Sequence, residues 1–490
     1  MALPDWGIVL GGENIGVCYN ILPTFSGESC DTMTYSEIAV PAPGIEPQRL
    51  AWGVLLISFA IFCVICVISG LGVHYFLFQS LVPLTTRLEV GRGSVGITNP
   101  SNPSEFLETR ARNLTGARGT TIRTDPQSQA TISFHDSDHL IATVTLRSNT
   151  SLDLRDAARP RFEWSAVPYD LVLGDFSGEI DIYVAEGLPR SIRLGVQPVD
   201  GYWVIMDSGG HYLASATETQ VRVTNLDGHA LLIGPQNNRD IPIGGQGIVN
   251  LQTDAQIAAS SASFTDLLAN TVFPGTPEAN ELDRQPGVDV WTCANGENDN
   301  PQGDYDAELK DGHHSLRLVR DGNAVSHGDT RCIRWFGQTG QNVESFDYLG
   351  LRTTFFINFQ SVNACGFEGS ECPLMLRFDY VDTDGRPQRW YYGFYYKSRD
   401  PQQNYPLRCN SATCTQDHQQ VNEKSWYTFD SGNLLTLFRQ HHLPLPASII
   451  NVQFYASGHQ YDVYVSDIAL LVGQNTQAGA NGEAPPTSGG

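Results

Sequence analysis

Six cysteines fall in roughly the last 200 residues, Cys293, Cys332, Cys365, Cys372, Cys409 and Cys414, and none lies between Cys66 and Cys293. Cys365/Cys372 and Cys409/Cys414 sit in short stretches rich in Gly, Ser and Asn, where a tight loop can bring two sulfurs to bridging distance. Such pairs close disulfides in an oxidising compartment or hold zinc. Structural zinc usually takes CxxC knuckles, and this outer part of the chain has none. The spacing therefore favours disulfides, with Cys293–Cys332 the third pair by elimination.

The second chemistry-bearing run is aromatic: Trp390, Tyr391, Tyr392, Phe394, Tyr395 and Tyr396 lie in one strand-like segment. Alternate residues of a strand face opposite sides. Trp390 and Tyr392 then share one face, which is either core packing or a flat platform for sugar rings. In the platform reading Arg389, Asp379 and Gln388 supply hydrogen bonds. Asp467, with the loop around Asp299, Asp304 and Asp306, could hold a structural calcium, although calcium asks for six to eight oxygens. No other cofactor is implied. His135 and His139 flank Asp136 and Asp138, a pattern that reads better as a polar hairpin turn than as a metal site. P-loop, dinucleotide-binding and HExxH motifs are missing, no nucleophile elbow occurs, and Asp379, Asp382 and Asp384 read as a turn. The chain is expected to be no enzyme.

These residues must be positioned by strands. From Leu88 onward short apolar–polar alternations such as QATISF, IATVTL, EIDIYVA and QVRVTN are separated by turn residues, as in a half-buried all-β fold. Gln252–Leu268 is the one helical candidate in this part, and FPGTPEANELDRQPG after it is a linker. A second β-rich region begins near Val288. The boundaries expected are a tail at 1–49, a membrane helix at 50–83, a β-domain at 88–250, a helical segment and linker at 251–287, a jelly-roll β-sandwich at 288–472 and a disordered tail at 473–490.

The membrane helix rests on Ala51–Thr86, which carries no Asp, Glu, Lys or Arg and includes Cys63 and Cys66. About 20 apolar residues suffice to cross a bilayer. A signal peptide fits poorly, since an acidic tail of about 50 residues with Cys18 and Cys30 precedes the block. Flanking charge (Arg49 before, Arg87 and Arg92 after) mildly favours a cytoplasmic C-terminus. The cysteine pairs argue for the opposite orientation, with the β-modules outside the cytoplasmic membrane. A formal net charge of −23 disfavours nucleic acid as a partner.

Residues from about Val90 to Val249 resemble the FecR domain, an extracytoplasmic module. The likeness runs through Arg118–Asp125 (RGTTIRTD), Ser128–Phe134 (SQATISF), Ser151–Leu154, Leu173–Ile180 (LGDFSGEI), Ala214–Val223 and the Gly244–Gly247 turn. His135–Asp138 departs from it, standing where that family commonly has Asp-Gly. Residues from about Val288 to Val472 resemble jelly rolls of the galactose-binding or carbohydrate-binding type, with Tyr461–Leu470 as the last strand. The resemblance implies a mainly β protein: one transmembrane helix, then a FecR-like β-domain and a jelly-roll sandwich. Its expected role is non-enzymatic binding of a glycan or an envelope protein. The alternatives are a transmembrane signal-relay regulator and, further off, a glycan hydrolase or lyase.

Overall fold

The computed structural model describes residues 47–474, apart from 101, 115–117, 138, 253–256, 261–263, 270, 277–278, 281–286, 288, 399–401, 404, 411–413 and 415. The N-terminal tail to residue 46 and the stretch from residue 475 lie outside the described residues, as do Cys18 and Cys30.

Helix α1, Pro47–Phe78, has no charged side chain in its first or last turn except basic Arg49, and its apolar span is Ala51–Phe78. At 1.5 Å per residue those 28 residues reach about 42 Å, longer than a hydrocarbon core of roughly 30 Å. Leu55, Phe62, Ile68 and Leu71 are all exposed, so the described residues offer no core to this helix. That is compatible with a single membrane pass. The helix ends at Phe78, short of the expected 83. Leu81–Pro83 instead pairs antiparallel with Ala158–Pro160 as a short strand.

The chain divides at Gly70, and everything from Leu71 onward forms one compact unit. Its first part is a closed β arrangement of two sheets that share the long strand Tyr169–Val184. The first half of that strand pairs with Ser151–Pro160 and Ile192–Val196, and the second half with His139–Leu146 and Gly210–Ala216. Register shifts between Val172 and Ser177 let one strand serve both sheets. Alternation sorts the faces: Ile132, Val144, Ile180 and Ile182 fill an aliphatic core, while Thr131, Thr143, Thr145 and Asp181 face away from it.

The second part is a β-sandwich. One sheet has six strands, running 304–310, 313–320, 461–473, 348–360 and 426–430, with Phe264–Asp266 added on 461–473. The facing sheet has seven, running 292–295, 328–335, 446–458, 374–382, 387–395 and 419–420, with 341–342 added on 446–458. Between them lies a core rich in aromatic side chains.

Within the stretch expected to be helical, the described residues form strands: Ile257–Ser260 pairs with Gln246–Asn250, and Phe264–Asp266 pairs with Leu471–Gly473, while 253–256 and 261–263 lie outside the described residues. A run of Ala and Ser has helical propensity, but two open sheet edges supply backbone partners that a short isolated helix lacks. This segment stitches the barrel to the sandwich. Side chains complete the join. Gln129 exchanges two hydrogen bonds with the Thr428 backbone (2.7 and 3.0 Å), Glu89 accepts the Trp426 N–H (3.0 Å), and Asn422 donates to the Val90 carbonyl (2.9 Å).

Candidate functional site

The aromatic strand turns inward. Trp390 is 1% exposed and lies against Phe378 (5.2 Å between ring centres) and Tyr392 (5.9 Å). Tyr392 is half-buried, stacks on Phe429 at 5.0 Å, and directs its hydroxyl to Gln419. The sandwich needs this face to fill the space between its sheets, so Trp390 cannot present a sugar platform. The other face is occupied as well, since Tyr395 packs with Met375 and the Cys365–Cys372 pair. Asp379 is engaged by Arg377 through two bonds of 2.7 and 2.8 Å and by Asn451 at 3.2 Å. Arg389 alone of the four expected ligand contacts stays largely in solvent, its side chain 61% exposed.

The six outer cysteines form three disulfides, Cys293–Cys332, Cys365–Cys372 and Cys409–Cys414. The latter two converge on buried His418, and these Cys–His groups are the only metal-capable clusters of three among the described residues. Both His418 nitrogens are already used. Nδ1 accepts the Gly393 N–H (2.9 Å) and Nε2 donates to the Gly369 carbonyl (2.8 Å), which fixes a neutral tautomer. Burial lowers the pKa of this imidazole in the same sense. With its sulfurs oxidised and its imidazole satisfied, the cluster is a closed structural knot.

No comparable cluster forms around Asp467 among the described residues. Asp304 and Asp306 cap the backbone of their own strand, and Asp299 accepts the Asp329 N–H at 2.8 Å. Strand order separates them further. Asp306 pairs with Arg317 and Arg317 with Tyr464, so the acidic strand lies two strands from the one that carries Asp467. The calcium set expected from sequence is therefore not assembled.

Asp467 borders a different feature, a cavity of about 830 Å³ between the barrel and the sandwich. A bulge at Ser466, where Thr354 pairs with Asp467 and Phe355 with Val465, turns both Ser466 and Asp467 toward it. Thr131, Thr143, Thr145 and Tyr183 line the barrel side, and Asp266 comes from the stitching strand. Hydroxyl side chains and carboxylates share the lining with apolar side chains such as Leu140, Leu188, Leu226 and Leu471 and with the histidines His139, His313 and His314.

Arg352 and Asp181 at one wall of the cavity belong to an ionic cluster that Arg147 and Asp430 complete outside the lining. Arg352 contacts Asp181 closely, Arg147 reaches Asp430 at 2.8 Å and Asp181 at 3.6 Å, and His211 meets Asp181 at 2.7 Å. Burial alone would raise the Asp181 carboxyl. Arg352, His211 and Arg147 outweigh burial and hold its pKa well below the usual carboxylate range. Asp430 is lowered in the same way, burial being overcome by Arg147 and Arg352. Asp266 goes the other way: burial pushes its pKa up to about 6, although the Leu268 and Leu470 N–H groups both bond to it.

Arg352 lines the cavity at 1% exposure, yet its Nη1 and Nε have no hydrogen-bond partner. A buried guanidinium donor left without a hydrogen bond is costly, and here Nε keeps only an ion-pair distance of 3.7 Å to Asp430. The arrangement sets one guanidinium, several carboxylates and several hydroxyls around a space that apolar side chains also line. Sequence reading missed these residues. Asp181 in EIDIYV and Arg352 in LGLRTT occupy outward strand positions, which ordinarily read as solvent.

No protein-family model matches the chain, and no curated protein does. Two crystal structures of a protein assigned as an anti-sigma factor from Parabacteroides distasonis align over 29% of this chain at 16% and 15% identity, each with a TM-score of 0.22. The alignment spans 58% of that protein. An exo-β-agarase aligns over 36% of this chain and 22% of its own at 12% identity, with a TM-score of 0.18. At these scores the likenesses carry no functional argument.

Proposed function

We propose that this chain is a non-enzymatic, single-pass envelope protein that binds a glycan in the cavity between its barrel and its sandwich. A cavity that combines hydroxyls (Thr143, Thr145, Ser466) and carboxylates (Asp227, Asp467) with apolar side chains carries the reading. Sugar hydroxyls both accept and donate, so they pair with carboxylates and hydroxyls, while the C–H faces of a sugar ring suit the apolar part of the lining. The apolar span of α1 supports a membrane anchor, and three disulfides support an oxidising compartment for the β-modules. The resemblance to FecR-type extracytoplasmic domains points the same way.

The test is glycan-array binding by the full chain in detergent micelles. Binding that falls at least tenfold in Asp467→Ala is the expected result. Binding unaffected by Asp467→Ala places the site elsewhere, and release of sugar products makes the protein an enzyme.

A further inference from the structure

We propose that the loop Arg161–Ser165 sits in the lipid headgroup layer and seats the β-modules on the membrane surface. Helix α1 ends at Phe78, and the carbonyls of its last turn have no partner within the helix. Side chains close three of them. Ser80 Oγ donates to Phe76 (2.5 Å), Trp164 Nε1 to Leu77 (3.2 Å), and Ser165 Oγ to Phe78 (2.5 Å). Two of the three donors come from a loop 87 residues downstream. The loop is itself braced: the Arg161 N–H bonds Ser80 at 2.9 Å, and Arg190 donates to the carbonyls of Glu163, Ser165 and Val167.

Phe162 stacks on Trp164 with ring centres 4.7 Å apart and meets Phe76 edge-on at 5.6 Å, while the Arg161 guanidinium lies over the Phe76 ring. Even so, Trp164 is 62% exposed, and Phe76, Phe78 and Leu81 beside it are exposed too. The indole N–H is fixed to the end of the apolar span while much of the ring has no protein partner. A side chain with one polar handle and a large apolar body belongs at the bilayer interface. Arg161, an exposed residue, sets positive charge beside it, suited to lipid phosphates. The apolar patch is continuous with the span, so the bilayer is the occupant it fits.

This inference rests on reading α1 as a membrane span, and the experiment separates the two. The full chain, with Cys18, Cys30, Cys63 and Cys66 changed to Ser, is labelled with an environment-sensitive fluorophore at Glu163→Cys, Val325→Cys or Ile61→Cys. It is then reconstituted in phosphatidylethanolamine–phosphatidylglycerol vesicles carrying nitroxide lipids. Glu163 and Val325 are both exposed positions in the protein. The expected result is deep quenching at Ile61, and at Glu163 at least threefold more quenching by shallow nitroxides than at Val325. Quenching at Ile61 with Glu163 as aqueous as Val325 overturns the inference and leaves the span intact. An aqueous Ile61 label overturns both.

Discussion

Two clusters of chemically capable side chains lie in the same compact unit. Around His418, four cysteines and an imidazole converge, and every atom is committed: the sulfurs to each other, the two ring nitrogens to backbone groups. Around Arg352 the residue types are ordinary surface types, and two guanidinium nitrogens make no hydrogen bond in a residue that lines an 830 Å³ cavity. The contrast teaches that residue type announces a site less reliably than unmet hydrogen-bonding capacity next to open space.

The largest perturbation should come from the ionic wall. Arg352→Met leaves Asp181 and Asp430 short of a buried countercharge, and thermal unfolding of the detergent-solubilised chain should show a loss of about 3–5 kcal/mol. Adding Asp181→Asn should restore part of it. An Arg352→Met loss below about 1 kcal/mol would break the idea that this wall welds barrel to sandwich.

The sulfur knot should matter for stability and not for binding. Replacing Cys365 and Cys372 with Ser opens a loop with a sequence separation of 7 and should cost about 2–3 kcal/mol, with ligand affinity unchanged. A zinc chelator should leave the unfolding temperature where it was. A chelator-induced drop would reopen the zinc reading.

Asp266 predicts a pH effect of known sign. Its folded pKa is raised from 3.8 to about 6, so its stabilising share is fully present below pH ~4 and is lost as pH rises through 6. Linkage bounds the change at about 3 kcal/mol. Asp266→Asn keeps an acceptor for Leu268 and Leu470 and should flatten that part of the stability profile between pH 4 and 6. An unchanged profile would mean that Asp266 is better hydrated than its burial implies.

The smallest effect is expected at Arg389. Arg389→Ala alters a side chain that is 61% exposed, and it should move stability by less than about 0.5 kcal/mol and leave glycan affinity unaltered. Lost affinity would return the site to the aromatic strand.

Much of the fold was legible in the sequence. Alternation in QATISF and EIDIYVA marks strands because each has one buried face, and the 36 uncharged residues Ala51–Thr86 mark the apolar helix by composition alone. The Gln252–Leu268 segment was not legible, because its strands exist only through edges contributed by Gln246–Asn250 and Tyr461–Gly473. The site was not legible for a related reason. Asp181 and Arg352 are 171 residues apart and become a pair only when two separate sheets pack face to face. Trp390 misleads for the opposite reason: a strand pattern shows which residues share a face, and tertiary packing decides which face is wet.

The most direct test of the central claim blocks the cavity without disturbing either core. Ala269 is an exposed lining position, so Ala269→Trp should intrude on the space while the protein stays folded. The account predicts that Ala269→Trp weakens glycan binding by the full chain while Arg389→Ala binds as the parent does. Undiminished binding by Ala269→Trp would contradict it.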